Sequence, residues 1–362
     1  MEPGRDGVGD YTRRLACELI KQGHKVATVA INDNFINTTI TDSQQNEGLE
    51  LPVLRLSSSQ PLKERLLYAR NYIDKFNPEW LSLQFVIFGY HLKGLPLWLN
   101  KLSLLGKGRK WHIMFHELWL AMEINTSAKH YLWGKVQQHL ISSLITQLKP
   151  KSIHTHTQLY IQQLLAMGVQ SKHLPLFGNI PAIADAATNL NRFKEDKLIN
   201  LILFGHIHPN TSVAAFADEM AAYAKKNQFE TALTLIGNNG AETENWEKQF
   251  ERLGIKVNVL GEQPANYVSE IMSNSNFGIS TTPVALLEKS GSVAAMREHG
   301  LPVICVPCTW EPAKFINLEL PGNIMIYKKG NLDKILNEEI NFAGFISISD
   351  ISNQFVNAIS KI

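Results

Sequence analysis

Short apolar runs rich in β-branched residues alternate with helix-like stretches along the chain, and no other feature restricts the fold so strongly. Lys25–Ile31 (KVATVAI), Leu51–Leu56, Trp80–Phe88, Trp111–Phe115 and Ile153–Thr157 read as strands in the first half. Leu198–Gly205 (LINLILFG), Thr231–Gly237, Val257–Gly261, Phe277–Thr281 and Pro302–Val306 follow in the second. Gly9–Gly23, Pro61–Phe76, Ala128–Leu148 and Tyr160–Met167 carry helical spacing between strands. Continuous apolar strands separated by helices predict an α/β architecture with parallel sheets. Asp10 is expected to cap the first helix and Gly23 to end it.

The 362 residues fit two domains of roughly 150 residues each. The expected division is 1–172 and 173–362, with the last helix a candidate to cross back. Leu174–Ile180 reads as a short extended stretch, and Ala182–Lys197, polar and alanine-rich, as a linker or excursion. No sequence repeat has a fixed period; what repeats is the architecture. Open α/β sheets bind ligands beyond the carboxyl ends of their strands, so a cleft between two such halves is the expected site.

Composition narrows the function. Hydrophobic residues make up 44% and charged residues 19%, which excludes disordered and collagen-like chains. A net charge of +2 supplies no overall drive toward nucleic acid. Cys17, Cys305 and Cys308 are too sparse for a disulfide scaffold and suit a reducing cytoplasm. No apolar run reaches the roughly 18 residues of a membrane span, and the first residues lack a signal-peptide core. Leu95–Arg109 and His130–Leu148, apolar with basic neighbours, leave peripheral membrane contact open, but ordinary amphipathic packing is the favoured reading.

Four places could carry chemistry. Gly7-Val8-Gly9 directly precedes a helix, where free N–H groups favour an anion or sugar oxygen. Thr12 stands where a dinucleotide fingerprint needs its third glycine, which weighs against NAD. His116 ends an apolar strand and is expected at the cleft edge, satisfied either by substrate or by the neighbouring helix start; His112 faces the same side. Glu288-Lys289-Ser290-Gly291-Ser292 opens a helix with small residues, hydroxyls and a cation, suited to a diphosphate, with Glu288 placed to accept sugar hydroxyls. The plainer role for Ser290 is an N-cap. Gly205-His206-Ile207-His208 is the glycine loop of the second half, and its histidines read as loop hydrogen-bonders rather than metal ligands. Cys305 and Cys308 have C-x-x-C spacing, but no helix signal follows Cys305, so a redox site is not expected.

A glycine turn of this kind ordinarily follows a first strand, and only six residues precede Gly7. The expectation is that the natural product begins upstream, with about six to ten apolar residues ahead of Glu2.

Together these residues resemble the GT-B glycosyltransferases, in particular the retaining glycosyltransferase 4-like family. Pro3–Ala16 (PGRDGVGDYTRRLA) is similar to that family's N-terminal glycine loop and first helix. Ser82–Val86, His91–Pro96 and Met114–Glu117 resemble its middle strands, with His116 where the family often keeps a histidine near the donor sugar. Phe204-Gly205, Leu235–Gly237 and Leu260–Glu262 resemble its strand ends around the nucleotide. The chain departs from the family's two-glutamate motif: Glu288 and Gly291 match, the second glutamate's place is Met296, and Glu298 lies two residues late. His206 replaces the usual arginine and Asn210-Thr211 the usual lysine, with Lys289 as substitute.

The resemblance implies two Rossmann-like domains facing a central cleft. It implies metal-independent, retaining transfer of a sugar from a nucleotide-diphosphate donor to an acceptor hydroxyl, with no cofactor beyond the donor substrate. The expected catalytic residues are His116 and Glu288. Donor contacts are expected at Gly205, Gly237, Glu262, Lys289, Ser290, Gly291 and Ser292, and the acceptor or phosphate loop at Gly7 and Gly9. The acceptor is a glycan, lipid or small molecule. The alternatives are an inactive GT-B protein that binds sugar or nucleotide in polysaccharide assembly, and a nucleotide-sugar epimerase of the same fold.

Overall fold

The computed structural model describes residues 1–46, 48–182, 197–314, 318–338 and 347–360. Most of the expected linker at 182–197 lies outside the described residues. The chain separates into two compact units, Met1–Pro175 with Ile348–Ile362, and Leu176–Ser347.

The first unit contains α1 (Gly7–Lys21), β1 (Thr28–Asp33), β2 (Ile40–Asn46), β3 (Leu49–Ser57), α2 (Leu62–Phe76), β4 (Trp80–Phe85), α3 (Ile87–Tyr90), β5 (Lys110–Phe115), α4 (Ala128–Leu148), β6 (Ser152–Thr155), α5 (Gln158–Leu165) and β7 (Lys172–His173). Its strands form two separate sheets, ordered β1-β3-β2 and β4-β5-β6-β7. The second unit contains β8 (Leu198–Phe204), α6 (Val213–Asn227), β9 (Glu230–Ile236), α7 (Thr243–Glu251), β10 (Lys256–Gly261), α8 (Ala265–Ser273), β11 (Phe277–Ser280), α9 (Gly291–Glu298), β12 (Val303–Cys305), β13 (Ile324–Ile326) and α10 (Leu332–Asn337). Helix α11 (Ile348–Ser360) returns to the first unit, where Gln22 Nε2 donates to Ser352 Oγ at 2.6 Å.

The second unit holds one parallel sheet, ordered β10-β9-β8-β11-β12-β13. Strand β8 is central and buries both faces. Ile199, Leu201 and Leu203 pack with Phe216, Trp246 and Phe250, while Ile202 joins Val268, Met272 and Val293 on the other side. Each such side chain contributes about 1.5–3 kcal/mol on burial, and this is why β8 reads as an unbroken apolar run. The chain runs from β8 outward to β10, then restarts at β11 on the opposite side. The order therefore reverses between β8 and β11, and in such sheets the loops there part to leave a crevice.

Several local expectations are corrected. Helix α1 starts at Gly7, and its cap is Asp6, whose carboxylate accepts from Val8 N; Asp10 lies inside the first turn. Gly23 ends the helix as expected, at φ +89°, with His24 N donating to Leu19 O. The sheets are not all parallel, because β2 pairs antiparallel along the length of β3. Ile40–Asn46 (ITDSQQN) is a largely exposed edge strand, so no apolar alternation announces it. The run at Trp80–Phe88 stops at Phe85 and coils into α3. Strand β13, three half-buried residues, carried too short a signal to be expected.

Candidate functional site

In the second unit, β8, β9 and β10 end at one edge of the sheet on Gly205, Gly237 and Gly261, each with positive φ (+86°, +92° and +63°). Glycine meets this left-handed turn without steric cost. Gly205 N donates to Ile236 O and Gly237 N to Gly261 O, so the turns are tied together in the order of the sheet. Gly205 has a second reason to be glycine: a Cβ there would lie 2.6 Å from Ser292 Oγ. The first turn of α9 thus reaches the turn after β8.

The loop after β8 crosses the switch point. His208 N donates to Thr281 Oγ1 at 2.8 Å, and His208 Nδ1 lies 3.2 Å from the same oxygen. Thr281 follows β11, so this contact joins the two strands between which the order reverses. Asn239 Nδ2 holds Gly205 O at 2.7 Å, fixing the loop from the β9 side. Burial, then the positive charges of His206 and Lys289, lower the pKa of His208, which keeps it neutral near pH 7. Lys289 is therefore close enough for its charge to act on this loop.

Ser290 is the N-cap of α9, its Oγ accepting from Val293 N at 3.4 Å. The plainer reading of Ser290 is thus fulfilled. Gly291 has nothing within 4 Å of where a Cβ would be. Glu288 and Lys289 close the preceding 3-10 turn, Val284–Lys289, and both are half-buried. Glu262 follows Gly261 and is exposed. The structure thus brings Gly205, Gly237, Lys289, Ser290, Gly291 and Ser292 to the carboxyl edge of one sheet, with Glu262 at the end of β10. Sequence reasoning missed Thr281 and Asn239, since the partners that single them out are backbone groups distant in sequence.

Neither displaced half of the glutamate motif is available as a carboxylate at this edge. Met296 is in the core, where a Cβ on Gly278 would come within 2.5 Å of its sulfur. Glu298 Oε1 accepts from the buried Gly178 N at 3.0 Å. Cys305 is buried and free, and burial pushes its thiol up to about 12, so it is not a reactive thiolate.

Two expectations for the first unit change. Gly7 and Gly9 are not an open turn before a helix; they lie in the first turn of α1, with Gly7 as its first residue. Asp6 accepts from Val8 N, its Oδ2 sits 3.0 Å from where a Gly9 Cβ would be, and Gly4 N donates to Asp10 Oδ1. Carboxylates already occupy this helix start and would repel a phosphate. His116 stands just beyond β5 but is buried, at 7% exposure. Its Nε2 lies 2.9 Å from Gln84 Oε1 and its Nδ1 3.0 Å from His156 Nε2, with the Tyr11 ring edge-on at 4.7 Å. Both nitrogens that a sugar hydroxyl could use are engaged by neighbouring strand ends, not by a helix start. A second pair, His112 and His154, lies deeper in the same sheet.

No protein-family model matches the chain, and no curated protein matches it by sequence. Solved structures do. The apo form of the lipopolysaccharide outer core galactosyltransferase WaaB aligns over 99% of this chain and 97% of its own, at 16% identity and TM-score 0.52. HepE from Anabaena, in complex with UDP and glucose, aligns over 86% and 87%, at 13% identity and TM-score 0.51. A UDP-GlcNAc 2-epimerase from Neisseria meningitidis, bound to UDP-GlcNAc, aligns over 98% and 96%, at 14% identity and TM-score 0.51. Identities this low establish architecture, and the architecture agrees with the expectation: the chain has the GT-B fold of two Rossmann-like α/β units.

Proposed function

We propose that the protein is a glycosyltransferase that takes a sugar from a nucleotide-diphosphate donor and passes it to an acceptor hydroxyl. The observation that carries this reading is the α9 start reaching Gly205 at the switch point of the second sheet. The N–H groups of Gly291 and Ser292 are not consumed by the Ser290 cap and are suited to phosphate oxygens, with Lys289 adding charge. Gly205 and Gly237 present bare backbone at the same edge, and Glu288 is the proposed acceptor for sugar hydroxyls. Positioned donors of this kind stabilise a leaving diphosphate without a metal, and a retaining course needs no protein nucleophile. The first unit is assigned the acceptor. Among the described residues no helix is long and apolar enough to cross a membrane. A cytoplasmic enzyme with at most peripheral membrane contact is the matching proposal.

One observation favours a second reading. Glu298 is spent on Gly178 and Met296 on the core, so the expected pair of glutamates is reduced to Glu288. A donor-binding protein without turnover fits this equally. The epimerase reading has no comparable support, since among the described residues no set of carboxylates gathers at the strand ends.

The test is calorimetric titration with UDP-, GDP- and ADP-sugars, followed by assay for nucleotide release. Binding with release supports the transferase, and binding without release supports the second reading. Absence of binding to any of them rejects both.

A further inference from the structure

Arg65, in the first turn of α2, is 7% exposed and has no acidic partner among the described residues. Three other arginines of the same unit are treated differently. Arg55 is held by Asp33 at 2.8 Å and Glu2 at 2.7 Å, Arg109 by Asp74 at 3.0 Å, and Arg13 by Asp10. Burial lowers the Arg65 pKa with no acidic neighbour to offset it, yet an arginine keeps its charge in a protein. A guanidinium in this state is costly, because enclosed charges are normally paired. The helix adds to the cost, since its first turn is the positive end of the dipole, where a cation is disfavoured. Glu64, in the same turn, is exposed, and Pro61 at the cap position offers no side-chain acceptor.

One edge of the guanidinium is occupied. Nη1 donates to Ile31 O at 3.0 Å and to Asn32 Oδ1 at 2.7 Å, near the carboxyl end of β1. Asn32 is fixed in turn, because its Nδ2 donates to Gly89 O of α3, just beyond β4. The guanidinium carbon lies 5.5 Å from the Trp98 ring centroid, and Tyr90 meets Trp98 edge-on at 5.9 Å. These contacts hold the group in place at the strand ends, where α/β sheets take their ligands. The other edge, Nε with Nη2, is the side-on fork that matches two oxygens of a carboxylate or phosphate. Nε is buried without a hydrogen-bond partner, and Nη2 makes no hydrogen bond among the described residues. A clamp joining α2 to β1 accounts for Nη1 and leaves the fork without a task.

We propose that the Arg65 fork binds an oxyanion, a carboxylate or phosphate group carried by the acceptor, with Trp98 and Tyr90 as the aromatic wall beside it. That the anion belongs to the acceptor rests on the proposed transferase activity; that the fork takes an anion does not. The bound group supplies to Arg65 the counter-charge that Asp33 supplies to Arg55. It arrives on a soluble sugar or on a lipid headgroup, and the chemistry at the fork is the same.

The test reads the fork directly, without nucleotide. The full chain is labelled with 5-fluorotryptophan, and Trp98→Phe assigns the Trp98 resonance among the seven tryptophans. Glucose 6-phosphate and glucuronate are titrated against neutral glucose, and phosphatidylcholine vesicles containing phosphatidic acid against vesicles without it. Saturable movement of the Trp98 resonance by anionic probes and not by neutral ones is expected, and the soluble or vesicle arm identifies the carrier. Arg65→Lys keeps the charge but loses the fork, and should weaken binding by about tenfold or more. Where Arg65→Lys does not fold, Asn32→Asp sets a carboxylate against Nη1 and should weaken binding likewise. A still Trp98 resonance with every anionic probe overturns the proposal. So does equal movement with glucose, or undiminished binding in the variant that folds. Absence of nucleotide-sugar binding would reject the proposed activity and leave this measurement unaffected.

Discussion

His112 Nε2 and His154 Nδ1 lie 3.0 Å apart inside the first unit, with Ser82 Oγ 2.8 Å from the other nitrogen of His112. One ring must donate and the other accept, so the contact holds with at most one of the two rings protonated. Burial, followed by the charge on its neighbour His154, drives His112 well below the ordinary histidine value. Burial, then Lys172 and His173, brings His154 down to about 4.

A specific pH dependence follows. Between about pH 6.5 and 4 the unfolded chain takes up protons on these histidines and the folded chain resists, so stability is full above that window and falls as pH drops through it. Each unit of depression is worth about 1.4 kcal/mol. Tm measured from pH 8 to 4 should decline steeply below about 6.5, and His154→Gln should flatten the decline.

Gly291→Val separates folding from binding. Nothing lies within 4 Å of the added Cβ, so Tm should be close to that of the parent. The branched side chain would screen the α9 start, and affinity for the nucleotide-sugar should fall. Lys289→Ala should weaken it by about 10- to 100-fold, the range for a lost charge-assisted contact of roughly 1.5–3 kcal/mol. Titration calorimetry on both variants checks this, and unchanged affinity in both would move the phosphate site away from α9.

Glu298 should prove structural. Glu298→Ala leaves the buried Gly178 N–H without its acceptor and should cost about 1–3 kcal/mol in urea unfolding. Glu298→Gln keeps an acceptor oxygen and should cost less, and neither variant should alter donor affinity in the fraction that folds.

Gly205→Ala meets two obstacles, a φ of +86° and Ser292 Oγ at 2.6 Å from the new Cβ. A loss of about 1–3 kcal/mol is expected from the backbone strain alone. The double variant Gly205→Ala/Ser292→Gly should recover the part due to the clash, which a double-mutant cycle in unfolding free energy measures.

The alternation of apolar strands and helices was enough to place the chain among α/β folds, because strands buried on both faces must be apolar throughout, as β8 is. Glycines at strand ends marked Gly205, Gly237 and Gly261 as turns in the sequence itself, since only glycine takes positive φ without cost. Polar β2 escaped notice because an edge strand is held by backbone bonds to β3 rather than by burial of its side chains. Which side chains meet was a matter for the tertiary structure. Asp6 rather than Asp10 caps α1, His116 is bound between Gln84 and His156, and Glu298 serves Gly178, 120 residues earlier in the chain. Local pattern records burial and turn geometry, which each residue feels through its neighbours in sequence. A hydrogen-bond partner brought in by chain crossover leaves no periodic trace, so only the folded arrangement reveals it.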